Sequence, residues 1–201
     1  MFTTFVSGRR RHPNDNRGRG ENLAPLNFPH MDISTVADII HKISDGFEEN
    51  GMKCLSDHSG NVVVAIQEQI YSGQDGKGAM LSPTYDDDPY FDEEGYWYHK
   101  NAAYKAWKKE ITPPRGSSLL GLPPRPESVP NLYINGKFFS DIIADRRGDV
   151  LHVDPGSGNG PAIVSKYGDE ILDMGPSAVE YFNREYLIPS IDKFYKDCGY
   201  R

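Results

Sequence analysis

Cysteine is scarce in this sequence: Cys54 and Cys198 are the only two in 201 residues, and they form no CxxC pair. That excludes a disulfide framework as the source of the fold. No apolar run approaches the roughly 18 residues of a membrane span, and the basic N-terminus lacks the apolar core of a signal peptide. The chain is therefore expected to have no membrane partner and to be made in the cytoplasm. The six histidines show no HExxH or other metal-ligand spacing, and there is neither a GK[ST] phosphate loop nor a GxSxG elbow. No metal, cofactor or catalytic constellation is expected, and the chain reads as a non-enzyme. A net charge of −7 excludes a general nucleic-acid binder, although it leaves a local basic arm open.

Apolar residues make up only 37%, beside 15 prolines and 20 glycines. The length suits one cored domain with arms, and the lean composition predicts extended segments ordered by partners. Residues 1–31 read as a basic extended arm, with Arg9, Arg10, Arg11, Arg17 and Arg19 against Asp15 and Glu21, and with Leu23, Leu26 and Phe28 as apolar anchors. Residues 32–201 read as a single α+β domain.

Ile33, Val36, Ile40, Ile43 and Phe47 alternate at spacings of three and four, which predicts a helix with one apolar face. Asp32 or Ser34 is its expected cap, and Asn50-Gly51 its expected stop. A second helix is predicted over Asn61 to Tyr71, followed by the turn cluster Ser72 to Gly78. The insertion 86–99 mixes acids (Asp86, Asp87, Asp88, Asp92, Glu93, Glu94) with Tyr96, Trp97 and Tyr98. It lacks the alternating oxygens and central glycine of a calcium loop and reads as a solvated acidic segment. Tyr104, Trp107 and the lysines Lys105, Lys108 and Lys109 form a short amphipathic helix ending before Pro113. The connector 112–130 holds six prolines and is expected to run extended, so that Leu119, Leu120 and Leu122 need a receiving surface on this chain or a neighbour.

Two β-rich runs, Phe138 to Ala144 and Val150 to Val153, flank the bend Asp145 to Asp149 and predict a hairpin. His152 alternates with Leu151 and Val153 and belongs on the opposite face. The following VLHVDPGSGNGPA (150–162) looks like the first motif of S-adenosylmethionine-dependent methyltransferases, in which glycines let a ligand approach a strand end. Its late position and its GxGxG spacing speak against that alternative. Ser177 and Glu180 have capping-box spacing at the head of the last helix, and Pro189 inside it predicts a kink or a restart.

Taken in order, SGQDGKGAMLSPTY, YKAWKKEITPP, NLYINGKFFSDIIADRRGDVLHVD and VSKYGDEILDMGPSAVEYFNREYLIPSIDKFY resemble the neck or tail-completion proteins of tailed bacteriophages over Ile33 to Tyr195. The arm, the acidic insertion and the proline connector are departures from that pattern. The resemblance implies a structural virion protein, a subunit of a homo-oligomeric head-to-tail connector ring between portal and tail. It would be assembled in the host cytoplasm, contact portal and other neck or tail proteins, and allow transient passage of DNA. Arg9, Arg10, Arg11, Phe28, Tyr96, Trp97, Tyr98, Leu119, Leu120 and Leu122 are the expected interface residues. They are apolar, aromatic or basic groups in segments with no core pattern. A third class, a host-directed binding module, predicts a stable monomer instead.

Overall fold

A computed structural model of the protein describes residues 32–200. The interface residues expected in the arm, Arg9, Arg10, Arg11 and Phe28, lie outside these described residues. The chain forms helices α1 (Ile33–Asp57), α2 (Ser59–Tyr71), α3 (Asn101–Ile111) and α4 (Lys137–Asp141), then strands β1 (Ile143–Arg147) and β2 (Val150–Asp154). Helices α5 (Gly160–Tyr167), α6 (Pro176–Phe182) and α7 (Ile188–Asp197) follow, with a π-helical turn at Asn183–Leu187 between the last two. Helices pack on a two-stranded antiparallel sheet, the α+β architecture read from the sequence.

The centre of the domain is α2, whose Val62, Ala65, Ile66 and Ile70 are buried. Around it, Leu81, Val129, Phe138, Phe139, Ile142, Ile171, Leu172 and Phe182 complete one apolar core. Gln69 is also buried and is fully used: its Nε2 donates to the Asp173 carbonyl at 3.1 Å, and its Oε1 accepts from the Gly175 amide at 2.7 Å. This clamp fixes the entry into α6, which begins at Pro176 with Gly175 as its cap residue. The expected capping box of Ser177 and Glu180 is therefore not formed, because the helix starts at Pro176, two residues too early for Ser177 to be its cap.

Helix α1 does not stop at Asn50-Gly51 but runs on to Asp57. A mid-helix glycine costs about 1 kcal/mol, and packing against α7 overrides that. Gly46 sits under the Phe194 ring, and Asn50 Nδ2 donates to Ser190 Oγ at 3.4 Å. The face turned inward is thus the line of Ile39, Gly46 and Cys54. The stripe read from spacing as the core face is largely left in solvent, with Ile33, Val36, Ile40 and Phe47 exposed.

The hairpin starts later than expected. Phe138 and Phe139 are both buried, which successive strand residues on a one-sided sheet cannot be, and the chain resolves this as the short helix α4. β1 and β2 then pair from Ile143↔Asp154 to Arg147↔Val150, so Arg147 belongs to a strand and the turn is only Gly148-Asp149. Gly148, at φ +65°, takes the first turn position that two-residue hairpins reserve for glycine. Leu151 and Val153 face the core while His152 is exposed, as alternation requires. Arg146 ties the hairpin to α1 through a bidentate pair with Glu49, at 2.7 and 2.8 Å.

The proline connector is not simply extended. Ser117 and Leu122 exchange backbone hydrogen bonds of 2.9 and 3.1 Å, closing a tight turn that pushes Leu120 against Ala65 and Ala178. Leu119 and Leu122 flank it, partly buried. The three leucines are received by their own chain, which withdraws Leu120 from any outer surface. At the C-terminus, the π turn lies directly before Pro189 in the first turn of α7. The expected restart is therefore made without breaking the rod: the widened turn accommodates a residue that has no amide proton to donate.

Candidate functional site

Two segments that look unrelated in sequence, the acidic insertion and α3, fold against each other and line a cleft of about 290 Å³. Asp88-Pro89 opens a short 3₁₀ turn, Pro89–Asp92, in which the Asp88 carboxylate accepts from the Tyr90 amide at 3.0 Å. This turn drops Phe91 into the interior, where it is 2% exposed. Tyr104 is the hub of the wall: its ring centroid lies 5.2 Å from Tyr85, 5.3 Å from Phe91, 5.1 Å from Trp97 and 5.4 Å from Trp107. Edge-to-face geometry dominates these pairs, as the ring quadrupoles favour.

The floor carries one ion pair. Lys166, reaching across from α5, places Nζ 2.7 and 2.6 Å from the two oxygens of Asp88, a residue only 7% exposed. The same ammonium lies over the rings of Tyr90 and Tyr167, at 5.9 and 5.6 Å from their centroids. Burial pushes the phenol of Tyr104 up to about 12 and those of Tyr85 and Tyr167 higher still, so all three stay neutral at physiological pH. With its carboxylate already matched by an ammonium and an amide, the cleft offers stacking surface and fixed polarity.

The insertion is not uniformly solvated. Lys105 meets Asp86 at 2.5 Å, and Asp87 accepts from both the amide and the hydroxyl of Thr84 at 2.5 Å. Asp92, Glu93 and Glu94 remain at the surface with no lysine or arginine partner among the described residues, and no group of three or more potential metal ligands occurs there either. Of the expected interface residues, Trp97 lines the cleft, Tyr96 stands beside it 76% exposed, and Tyr98 is exposed against His99. Leu119, Leu120 and Leu122 belong to a separate cluster and do not join them.

Sequence reading missed Asp88, Tyr90, Tyr104, Trp107, Lys166 and Tyr167 as parts of one site. The Asp-Pro step was an available signal for a capped turn. Lys166, 78 residues from Asp88, had none.

Truncation at the hub is the direct probe of this wall. Tyr104→Ala should lower stability by about 2–3 kcal/mol and collapse the near-UV circular dichroism. Tyr104→Phe should change stability by less than about 0.5 kcal/mol, since no hydrogen bond is made by the hydroxyl among the described residues.

The glycine loop after β2 serves the chain's own turn. A Cβ on Gly156, at φ +71°, would lie 2.4 Å from the Asp141 carbonyl, whereas one on Gly158 would meet nothing closer than 3.8 Å. Asp154 Oδ1 accepts from the Gly156 amide at 2.7 Å, closing the turn. Gly156→Ala should therefore destabilise by about 2 kcal/mol and Gly158→Ala by about 1 kcal/mol, the cost of left-handed backbone alone, as read from urea unfolding midpoints. β2 itself belongs to a two-stranded antiparallel sheet, not to the parallel sheet of a doubly wound methyltransferase.

A second recess, of about 270 Å³, lies between α1 and α7 and holds Cys54, whose burial pushes its thiol up and keeps it protonated. No family model, no curated protein and no solved structure matches this chain.

Proposed function

We propose that the protein is an assembly subunit of a tailed-bacteriophage virion, one member of a homo-oligomeric head-to-tail connector ring in the neck, in contact with portal and tail proteins. The observation that carries this reading is the uncovered stripe on α1. Ile33 is 85% exposed and Ile40 60% exposed, in line with Val36 and Phe47 at the three-and-four spacing by which helices pair. An isolated domain gains nothing from such a stripe, whereas a head-to-tail ring buries it against a different face of the next subunit. The resemblance of residues 33–195 to neck and tail-completion proteins supplies the finer assignment. The charge fits as well: residues 1–31 carry +3, which leaves −10 on the rest of a chain whose total is −7. An acidic subunit lets DNA pass without adhering. No helix among the described residues is long and apolar enough to cross a membrane.

Electron microscopy and mass spectrometry of purified virions test the assignment, together with co-purification on a candidate portal protein. The protein is expected in stoichiometric multiples at the neck; its absence from particles overturns the reading. Ile40→Glu should leave thermal stability within about 0.5 kcal/mol of the parent and abolish incorporation.

A further inference from the structure

The aromatic cleft and the residues outside the described domain match in chemistry. The cleft wall is built of Tyr and Trp rings, and Asp92, Glu93 and Glu94 occupy the stretch that joins Phe91 to Trp97, two of its lining residues. Of the nearby cations, Lys105 is paired with Asp86 and Lys166 with Asp88, while Lys100 donates to the Tyr96 carbonyl and lies over its ring and not on a carboxylate. Residues 1–31 have the opposite character: five arginines, no lysine, and the prolines Pro13, Pro25 and Pro29. We infer that the cleft receives the basic N-terminal arm of a second copy of the chain, arginines pairing with the acidic rim and stacking on the rings. The inference rests on the self-assembly part of the proposed function and names the site that would perform it.

Three features carry it. The charge is complementary, and arginine is the cation suited to such a wall, because its planar guanidinium stacks on aromatic faces while it bonds carboxylates in a bidentate manner. Proline lowers the backbone entropy lost on docking, and residues 1–31 carry three prolines. Length and departure point favour a neighbour. Residues 32–38 are all exposed, so the arm joins the domain at helical turns that no other described part of the chain covers. Fully extended, 31 residues reach about 100 Å, well beyond a domain whose radius of gyration is about 16 Å.

The two tryptophans of the chain, Trp97 and Trp107, both line the cleft, and residues 1–31 contain neither tryptophan nor tyrosine. Tryptophan emission therefore reads the cleft directly. A peptide of residues 1–31 should be titrated into the full chain carrying Arg9→Glu, Arg10→Glu and Arg11→Glu, whose own arm no longer competes. A saturable emission change is expected, with affinity falling at least about tenfold as salt rises from about 50 to 300 mM. Adding Asp92→Lys, Glu93→Lys and Glu94→Lys to the receiving chain should weaken binding by more than about tenfold. These are exposed positions, so the fold is kept. A flat titration, or affinity indifferent to rim reversal, overturns the inference.

The oligomeric state of the parent chain separates docking on a second copy from docking on the same copy, which would leave its cleft filled without association, and complementation then tests the pairing itself. In an Ile40→Glu background, which removes association through the α1 stripe, a full chain with only the rim reversed and a full chain with only the arm reversed should each remain monomeric, and should form a one-to-one dimer on mixing, because one arm and one cleft survive. A mixture that stays monomeric overturns docking between copies. A protein found in virion necks but giving a flat titration would keep the proposed function and lose this site; saturable binding by a protein absent from virions would do the reverse.

Discussion

Replacing Arg125 with leucine is expected to lower the stability of the domain by about 3–5 kcal/mol. The reason lies in the prolines around it. Pro113, Pro114, Pro123, Pro124, Pro126 and Pro130 have no amide protons, so beyond the Ser117–Leu122 turn and the Val129 amide the connector has few donors of its own for its buried carbonyls. Arg125 supplies the missing donors. It is 3% exposed, and its guanidinium donates at 2.9 Å to Val129 O, at 2.9 Å to Thr112 O and at 3.4 Å to Pro126 O. Leucine fills the space but leaves the Val129 and Thr112 carbonyls inside the protein without the donors they have here, while the Pro126 carbonyl keeps the Val129 amide at 3.0 Å. Lysine is expected to recover only part of the loss, since one ammonium cannot reproduce a planar fork spanning both ends of the connector. Urea unfolding of the three proteins measures the difference. A leucine variant within about 1 kcal/mol of the parent would mean that water satisfies the carbonyls and that the connector is held by Leu120 and Val129 alone.

Several elements were legible in the sequence because they depend on local chemistry. The α1 periodicity, the α2 run, the proline stop after α3 and the alternation around His152 report backbone preferences that the fold retains. What was misplaced depends on partners far along the chain. Asn50-Gly51 carries the local signature of a helix stop, but α7, 140 residues from Asn50 at Ser190, packs against α1 where it runs on. Phe138 and Phe139 looked like strand residues because aromatic residues favour strands, and only the closed core requires both to face inward. The same limit hid the cleft. Its aromatic half was visible as composition in 86–107, but Lys166 and Tyr167 reach it through tertiary packing of α5 that no spacing rule encodes.

The polar interior and the acidic exterior divide the work. Arg125 and Lys108, 3% and 2% exposed, are both buried without a carboxylate, each bonded to neutral oxygens of residues 112–133. Asp92, Glu93 and Glu94, without a lysine or arginine partner among the described residues, stand at the surface in the stretch that joins Phe91 to Trp97 of the cleft. Buried cations therefore hold the connector in place, while surface acids remain available for a partner.

Stability is expected to rise with pH between about 8 and 10 and then to fall, and Lys108 sets the rising limb. Its Nζ donates to Asn131 Oδ1 at 2.9 Å and to the Tyr133 carbonyl. Burial, reinforced by the nearby charge of Arg125, lowers its pKa from the ordinary 10.5 to about 8. Below pH 8 the folded and unfolded chains both hold the proton, and the full penalty of burying an ammonium is present. Between the two values the unfolded chain holds a proton that the folded chain has released, so raising the pH favours the folded state. The gain over the whole interval is on the order of 3 kcal/mol. Above pH 10 the tyrosines reverse the slope: Tyr104, pushed up to about 12, and Tyr85 and Tyr167 beyond it keep protons that the unfolded chain gives up. Lys108→Met should remove the rising limb and leave the falling one. Unfolding free energies measured in urea from pH 7.5 to 11 at constant ionic strength decide the matter: parallel curves for the two proteins would show that Lys108 is not the titrating group, whereas a separation that changes between pH 8 and 10 by the rise of the parent identifies it.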